Sequence, residues 1–145
     1  MFARPISKND VEMDFEALSN SKEHIRGVFG PDDQWPQNDL SFEEDLIALE
    51  NHENEHDKRV AFTYTVLNLK KNICLGCIYI LPIHSKDYDA QVFLWVIHDA
   101  YEKGYDQELY DEVIDWMNSD WPFKNVAYPG RNMDWLKYEQ IQIIY

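Results

Sequence analysis

Residues 90–110 read AQVFLWVIHDAYEKGYDQELY. From Ala90 to Ile97 only Gln91 is polar, which predicts a strand buried on both faces in the middle of a sheet. The residues after it turn polar and include Gly104. From there Leu109, Tyr110, Val113, Ile114 and Met117 recur on one side of a helix, for which Asp106 is the expected N-cap. The helix stops ahead of Trp121-Pro122-Phe123, because proline pushes its preceding residue out of helical geometry. A buried strand, a glycine-bearing loop and an amphipathic helix follow one another directly, and the fold reading turns on that succession.

Upstream, RVAFTYTVLNL (59–69) and NICLGCIYILPI (72–83) are β-rich runs joined through Lys70-Lys71-Asn72, a hairpin signal. Ser41-Phe42-Glu43-Glu44 is a capping box. It opens a helix with Phe42, Leu46 and Leu49 on one stripe. SNSKEHIRGVFG (19–30) carries Ile25, Val28 and Phe29 on a short helix closed at Gly30-Pro31. VEMDFEAL (11–18) alternates Val11, Met13 and Phe15 with polar neighbours and is expected as the first strand. Downstream, NVAY (125–128) reads as a last short strand and Pro129-Gly130 as a turn. The tail MDWLKYEQIQIIY is helix, strand or both. The whole is an α/β chain, in detail an α+β layered domain over residues 1–145. Its mixed central sheet of about five to six strands is flanked by helices.

At 145 residues and 45% hydrophobic content the chain is long enough to bury a core. Five Trp, nine Tyr and seven Phe predict a bulky core or a pocket walled with rings. The net charge of -14 sets its own field against nucleic acid and anionic membranes and favours a cationic substrate. No apolar stretch has the length of a signal core or a membrane helix, so the expected location is cytoplasmic. The two cysteines, Cys74 and Cys77, fall in a β-type run, where residues three apart point to opposite faces. They are expected reduced and unbridged.

His52-Glu53-Asn54-Glu55-His56 fits H-E-x-x-H, the pattern of zinc hydrolases. That chemistry needs both histidines on a buried, continuing helix that leads to a third ligand. Here the motif closes a helix and runs into Asp57-Lys58-Arg59, and His24, His84 and His98 stand alone. No metal ligand is assigned.

The segment around residues 90–110 resembles the core of the GNAT superfamily, the acyl-CoA-dependent N-acyltransferases. In that family a central strand ends in a loop of pattern V-x-P-x-x-[RQ]-x-x-G-x-[GA], and backbone N–H groups of loop and helix start hold the CoA pyrophosphate. With Val96 on the family's valine, Gly104 falls on its first glycine without a gap. Tyr101 stands where Arg or Gln belongs, and Asp106 where the second small residue belongs. The resemblance covers the element order from about residue 10 to 131. It implies cofactor contacts from Trp95, Val96, Lys103, Gly104, Tyr105 and Asp106. It also implies acetyl-CoA or another acyl-CoA as acyl donor, and Tyr138 as the acid that reprotonates the thiolate. Asp106 adds a side chain and a negative charge where backbone must approach phosphate, and Lys103 is the nearby compensating cation. Family members continue through another helix and two strands that shape the acceptor pocket, whereas 14 residues follow Arg131.

Two functions therefore stand side by side. One is a small N-acyltransferase acting on an amine, a cationic one being favoured by the acidic surface. The other is a binding or scaffold module that keeps the fold without CoA. A zinc hydrolase through His52, Glu53 and His56 is a third. An exposed sheet edge near the C-terminus invites pairing into a homodimer.

Overall fold

The structure is a computed structural model describing residues 1–141. Its strands are β1 (Phe2–Pro5), β2 (Phe62–Leu67), β3 (Cys74–Pro82), β4 (Ala90–Val96) and β5 (Val126–Ala127). Its helices are α1 (Val11–Asn20), α2 (Lys22–Ile25), α3 (Phe42–Asp57), α4 (His98–Glu102), α5 (Tyr105–Asp120) and α6 (Trp135–Glu139). The strands lie in chain order in one sheet. Neighbours are antiparallel except β4 and β5, which are parallel. The sheet is thus mixed and five-stranded, within the expected range. No helix among the described residues is long and apolar enough to cross a membrane.

Residues 11–18 are helix, not the expected first strand. Val11, Asp14, Ala17 and Leu18 are buried at helical spacing, and the alternation of Val11, Met13 and Phe15 was a coincidence of side chains. The decisive signal lies just upstream. Ser7 and Asp10 form a reciprocal capping box that starts a helical turn. The first strand is instead Phe2–Pro5, an edge strand against β2. The capping box at Ser41 and Glu44 forms as read. Of the tail, Trp135–Glu139 is helix, and residues 142–145 lie outside the described residues.

Two apolar layers cover the sheet. On one face α5 sets Leu109, Val113 and Met117 against Ile78, Ile80, Val92, Leu94 and Val96. Each such fully buried side chain contributes roughly 1.5–3 kcal/mol. On the other face α1, α2 and α3 pack over Cys77, Tyr79, Phe93 and Trp95, where Trp95 Nε1 donates to the Tyr79 hydroxyl at 2.9 Å. The strand at 90–96 is buried along its whole length, as its composition requires.

A bulge at the start of β3 overturns the expected spacing of the cysteines. The register shifts so that Val66 faces Gly76 while Leu67 faces Cys74, which leaves Leu75 as the extra residue. The shift reverses the alternation. Cys74 and Cys77 therefore share the α1 face, while Leu75 packs on the α5 side. Both cysteines are free and buried. At Gly76 the backbones crowd so closely that a Cβ would lie 2.2 Å from the Trp95 carbonyl oxygen. Only glycine fits there.

Candidate active site

The sheet opens between β4 and β5. Only Ala90 with Val126 and Gln91 with Ala127 are paired, after which the chain turns away. Local chemistry forces the departure. Tyr128 N donates to Asn132 Oδ1 at 3.0 Å, Pro129 has no N–H, and Gly130 takes φ 79° and donates to the Met133 carbonyl. This turn satisfies its own polar groups, so β4 has no strand on its β5 side from Val92 onward. Ile97 N donates to Leu75 on the β3 side. The alternation of backbone groups then turns the N–H groups of Leu94 and Val96 towards the opening.

The opening is a cleft of about 350 Å³. Its walls include His24, Val28, Phe93, Trp95, Tyr101 and Arg131. At one end stands the start of α5. Gly104, at φ 82°, is its N-cap, and having no side chain it makes no side-chain cap hydrogen bond to the first turn. That corrects the expected role of Asp106, which sits inside the first turn and points its carboxylate elsewhere. Arg131 grips it in a two-pronged pair, Nη1 to Oδ2 and Nη2 to Oδ1, both 2.9 Å. The same Nη2 reaches the Leu94 carbonyl at 3.2 Å, and the guanidinium lies 5.1 Å from the Tyr110 ring centroid. Asp106 cannot cap because a bidentate cation holds it.

His24 faces the cleft from α2, its ring edge-on to His98 at 5.3 Å and to Tyr101 at 4.9 Å. Burial, then the charge of His98, hold its pKa below the usual histidine value, against an opposite pull from Asp106. The imidazole is neutral near pH 7 and able to accept a proton.

Of the residues singled out in the sequence, Trp95, Val96 and Asp106 line this cleft. Lys103 and Gly104 are exposed and do not line it, and Tyr105 packs against the α5 layer. Tyr138 lies on α6. Its hydroxyl donates to Gln91 Oε1 at 2.9 Å, and its ring meets Phe93 and Trp135 edge-on. It stands at the closed end, where β4 and β5 are still paired. Sequence reading missed His24, a lone histidine without a motif. It also missed the Asp106–Arg131 pair, whose members are 25 residues apart. Tyr128, buried on the α5 side, has its phenol pushed up to about 12 by burial, which leaves it a poor acid near neutrality.

The residues of the HENEH motif go to separate partners. Glu53 Oε1 accepts from the Lys8 backbone at 3.0 Å. His52 pairs with Glu55 and lies edge-on to Tyr79, while His56 packs on Phe62 and Tyr64.

No protein-family model and no curated protein sequence matches the chain. Solved structures do. A ribosomal-protein-S5-alanine acetyltransferase from Vibrio fischeri superposes with a TM-score of 0.62 at 17% identity, over 79% of this chain and 62% of its own. A ribosomal L7/L12 alpha-N-protein acetyltransferase in complex with coenzyme A gives 0.61 at 17% identity, over 79% and 62%. A chimeric spermidine N-acetyltransferase from Vibrio cholerae gives 0.59 at 15% identity, over 87% and 68%. The chain spans about 62% of the length of the first of these. Strand order, the parallel β4–β5 pair that parts at a helix start, and these superpositions agree that the chain carries the GNAT fold.

Proposed function

We propose that this chain is an N-acyltransferase that moves an acyl group from an acyl-CoA to an amine, with the cleft between β4 and β5 as its site. The observation that carries the reading is the parting of β4 and β5 beside an uncapped helix start. It leaves a row of β4 N–H groups and a set of α5 N–H groups facing one opening. The first suits an amide-bearing chain and a thioester oxygen, the second a phosphate. Arg131 adds a cation at the junction. Asp106 opposes it, and an arriving phosphate would exchange with that carboxylate on the guanidinium.

The thioester of acyl-CoA supplies the activated acyl carbon when it is bound. The chain's residues supply the rest. Leu94 and Val96 N–H groups hold the amide-bearing arm that leads from the phosphates, Tyr138 at the closed end returns a proton to the departing sulfur, and the proton the amine loses leaves through water towards His24. The bond from carbon to sulfur breaks as the bond to nitrogen forms. The acidic surface favours a cationic amine as acceptor. The structural neighbours named for acetylating ribosomal proteins and spermidine fit an amine acceptor.

Calorimetric titration with CoA tests the reading. A dissociation constant near 1 µM is expected, with the thermal midpoint rising by the equivalent of about 4 kcal/mol at millimolar ligand. The second reading, a scaffold without CoA, is favoured by the Asp106–Arg131 pair across the anion end. It prevails if CoA binds neither the wild type nor Asp106→Gly.

A further inference from the structure

Away from the cleft, two carboxyls and two thiols meet in the core. The β3 bulge brings the Cys74 and Cys77 sulfurs to one face, and α1 lowers Asp14 onto them. Cys77 Sγ lies 3.5 Å from Asp14 Oδ1. The carboxylate oxygen and both sulfurs all lie within 4.8 Å of one another. Asp14 is 4% exposed, Cys74 2% and Cys77 1%. Asp45 of α3, 3% exposed, sets its carboxyl against that of Asp14. Its Oδ2 is buried without a hydrogen-bond partner. None of the ion pairs among the described residues reaches this cluster. Buried acids are ordinarily paired with a cation or hold a metal; here the two carboxyls share a hydrogen bond, and the only nearby positive charge acting on Asp45 is that of His52, which makes no ion pair with it.

We propose that Asp14, Cys74 and Cys77, with Asp45 as the fourth donor, form a closed site for a thiophilic divalent cation of the zinc class. Two sulfurs select such an ion over calcium or magnesium, which take oxygen ligands only. Zinc–sulfur bonds of about 2.3 Å and zinc–oxygen bonds of about 2.0 Å put neighbouring donors a little under 4 Å apart. The separations among Asp14, Cys74 and Cys77, at most 4.8 Å, close to that by about an ångström of side-chain movement, while Asp45 lies outside this group of three and must swing in from beside Asp14 to complete it. On binding, the two thiol protons and those the carboxyls carry leave to solvent. The ion has a way in. Asp14, Asp45 and Cys77 line a cavity of about 340 Å³ under the 29–35 loop, and Cys74 lines another beside Met13 and Ile97. The site ties α1 and α3 to the bulge of β3, a structural staple and not a catalytic centre.

The test uses reduced, chelator-stripped protein titrated with Co²⁺ without oxygen. The expected result is a thiolate-to-cobalt charge-transfer band with tetrahedral ligand-field bands, saturating at one ion per chain and displaced by zinc. Cys77→Ser should lose most of the charge-transfer intensity, and Asp14→Asn should weaken binding about 10–100-fold. His56→Ala should leave the spectrum unchanged. The absence of a charge-transfer band from folded wild type with two free thiols would overturn the proposal. So would ligand-field bands that saturate without a charge-transfer band and vanish in His56→Ala, which would move the ion to the HENEH helix. Neither result bears on CoA binding in the cleft.

Discussion

Asp106 and Arg131 carry the largest consequence of any residue pair in the cleft. Asp106→Gly removes a negative charge from the α5 start and frees the guanidinium. CoA affinity should rise about tenfold, roughly 1.4 kcal/mol, while the fold loses up to about 1 kcal/mol with the ion pair. Arg131→Gln should move affinity the other way, because Asp106 then stands alone at the anion end. Titration of both variants decides it, and equal affinities would place the pair outside the ligand's path. Asp14 makes a different, pH-dependent claim. Burial first, then Asp45, raise its pKa well above 3.8, so the folded chain holds this proton where the unfolded chain has lost it. A raised carboxyl destabilises the fold as pH climbs above about 4, through the window up to its folded pKa. In metal-free protein, Asp14→Asn should therefore gain stability relative to wild type as pH rises from about 4 to 7. Urea denaturation across that range measures it, and a constant difference would refute the assignment.

At the scale of elements, the two glycines that shape the site do so for different reasons. Gly104 starts α5 at φ 82°, with open space where a Cβ would go. Gly104→Ala should cost only the left-handed conformation, about 1–2 kcal/mol. Gly76 sits at the β3 bulge with the Trp95 carbonyl in the way. Gly76→Ala must push β3 from β4, and should cost more, about 3 kcal/mol by analogy with severe overpacking. Chemical denaturation of the two variants ranks them, and the reverse order would contradict the bulge geometry. Gly76→Ala should also disturb the cleft, because β4 is the strand whose free edge forms it.

At the scale of the molecule, net charge and fold act together. A charge of -14 concentrates cations around the chain, and salt screens that field over about 8 Å at physiological ionic strength. If the acceptor is a cationic amine, its apparent KM should rise several-fold between low and physiological salt, while that of a neutral amine stays flat. Parallel salt series with two such amines provide the measurement. Equal slopes would assign the acidity to solubility alone.

The strand at 90–96, the helix behind Gly104, the hairpin and the capping box at Ser41 were legible because each rests on contacts within a few residues. Apolar runs, periodicity and caps are local chemistry, and from them the order of elements and the layered fold follow. The exception at residues 11–18 was local too: Ser7 and Asp10 announced the helix, and a short alternation masked them. The site was another matter. His24 joins Tyr101 and His98 from 74 or more positions away, Arg131 reaches back to Asp106, and the β3 bulge turns Cys74 and Cys77 towards Asp14. Those meetings depend on how layers pack and where a register slips by one residue, which no local pattern encodes. The sequence by itself determined which elements form. Tertiary structure alone decided that Asp106 pairs instead of capping, and that two cysteines three apart share a face.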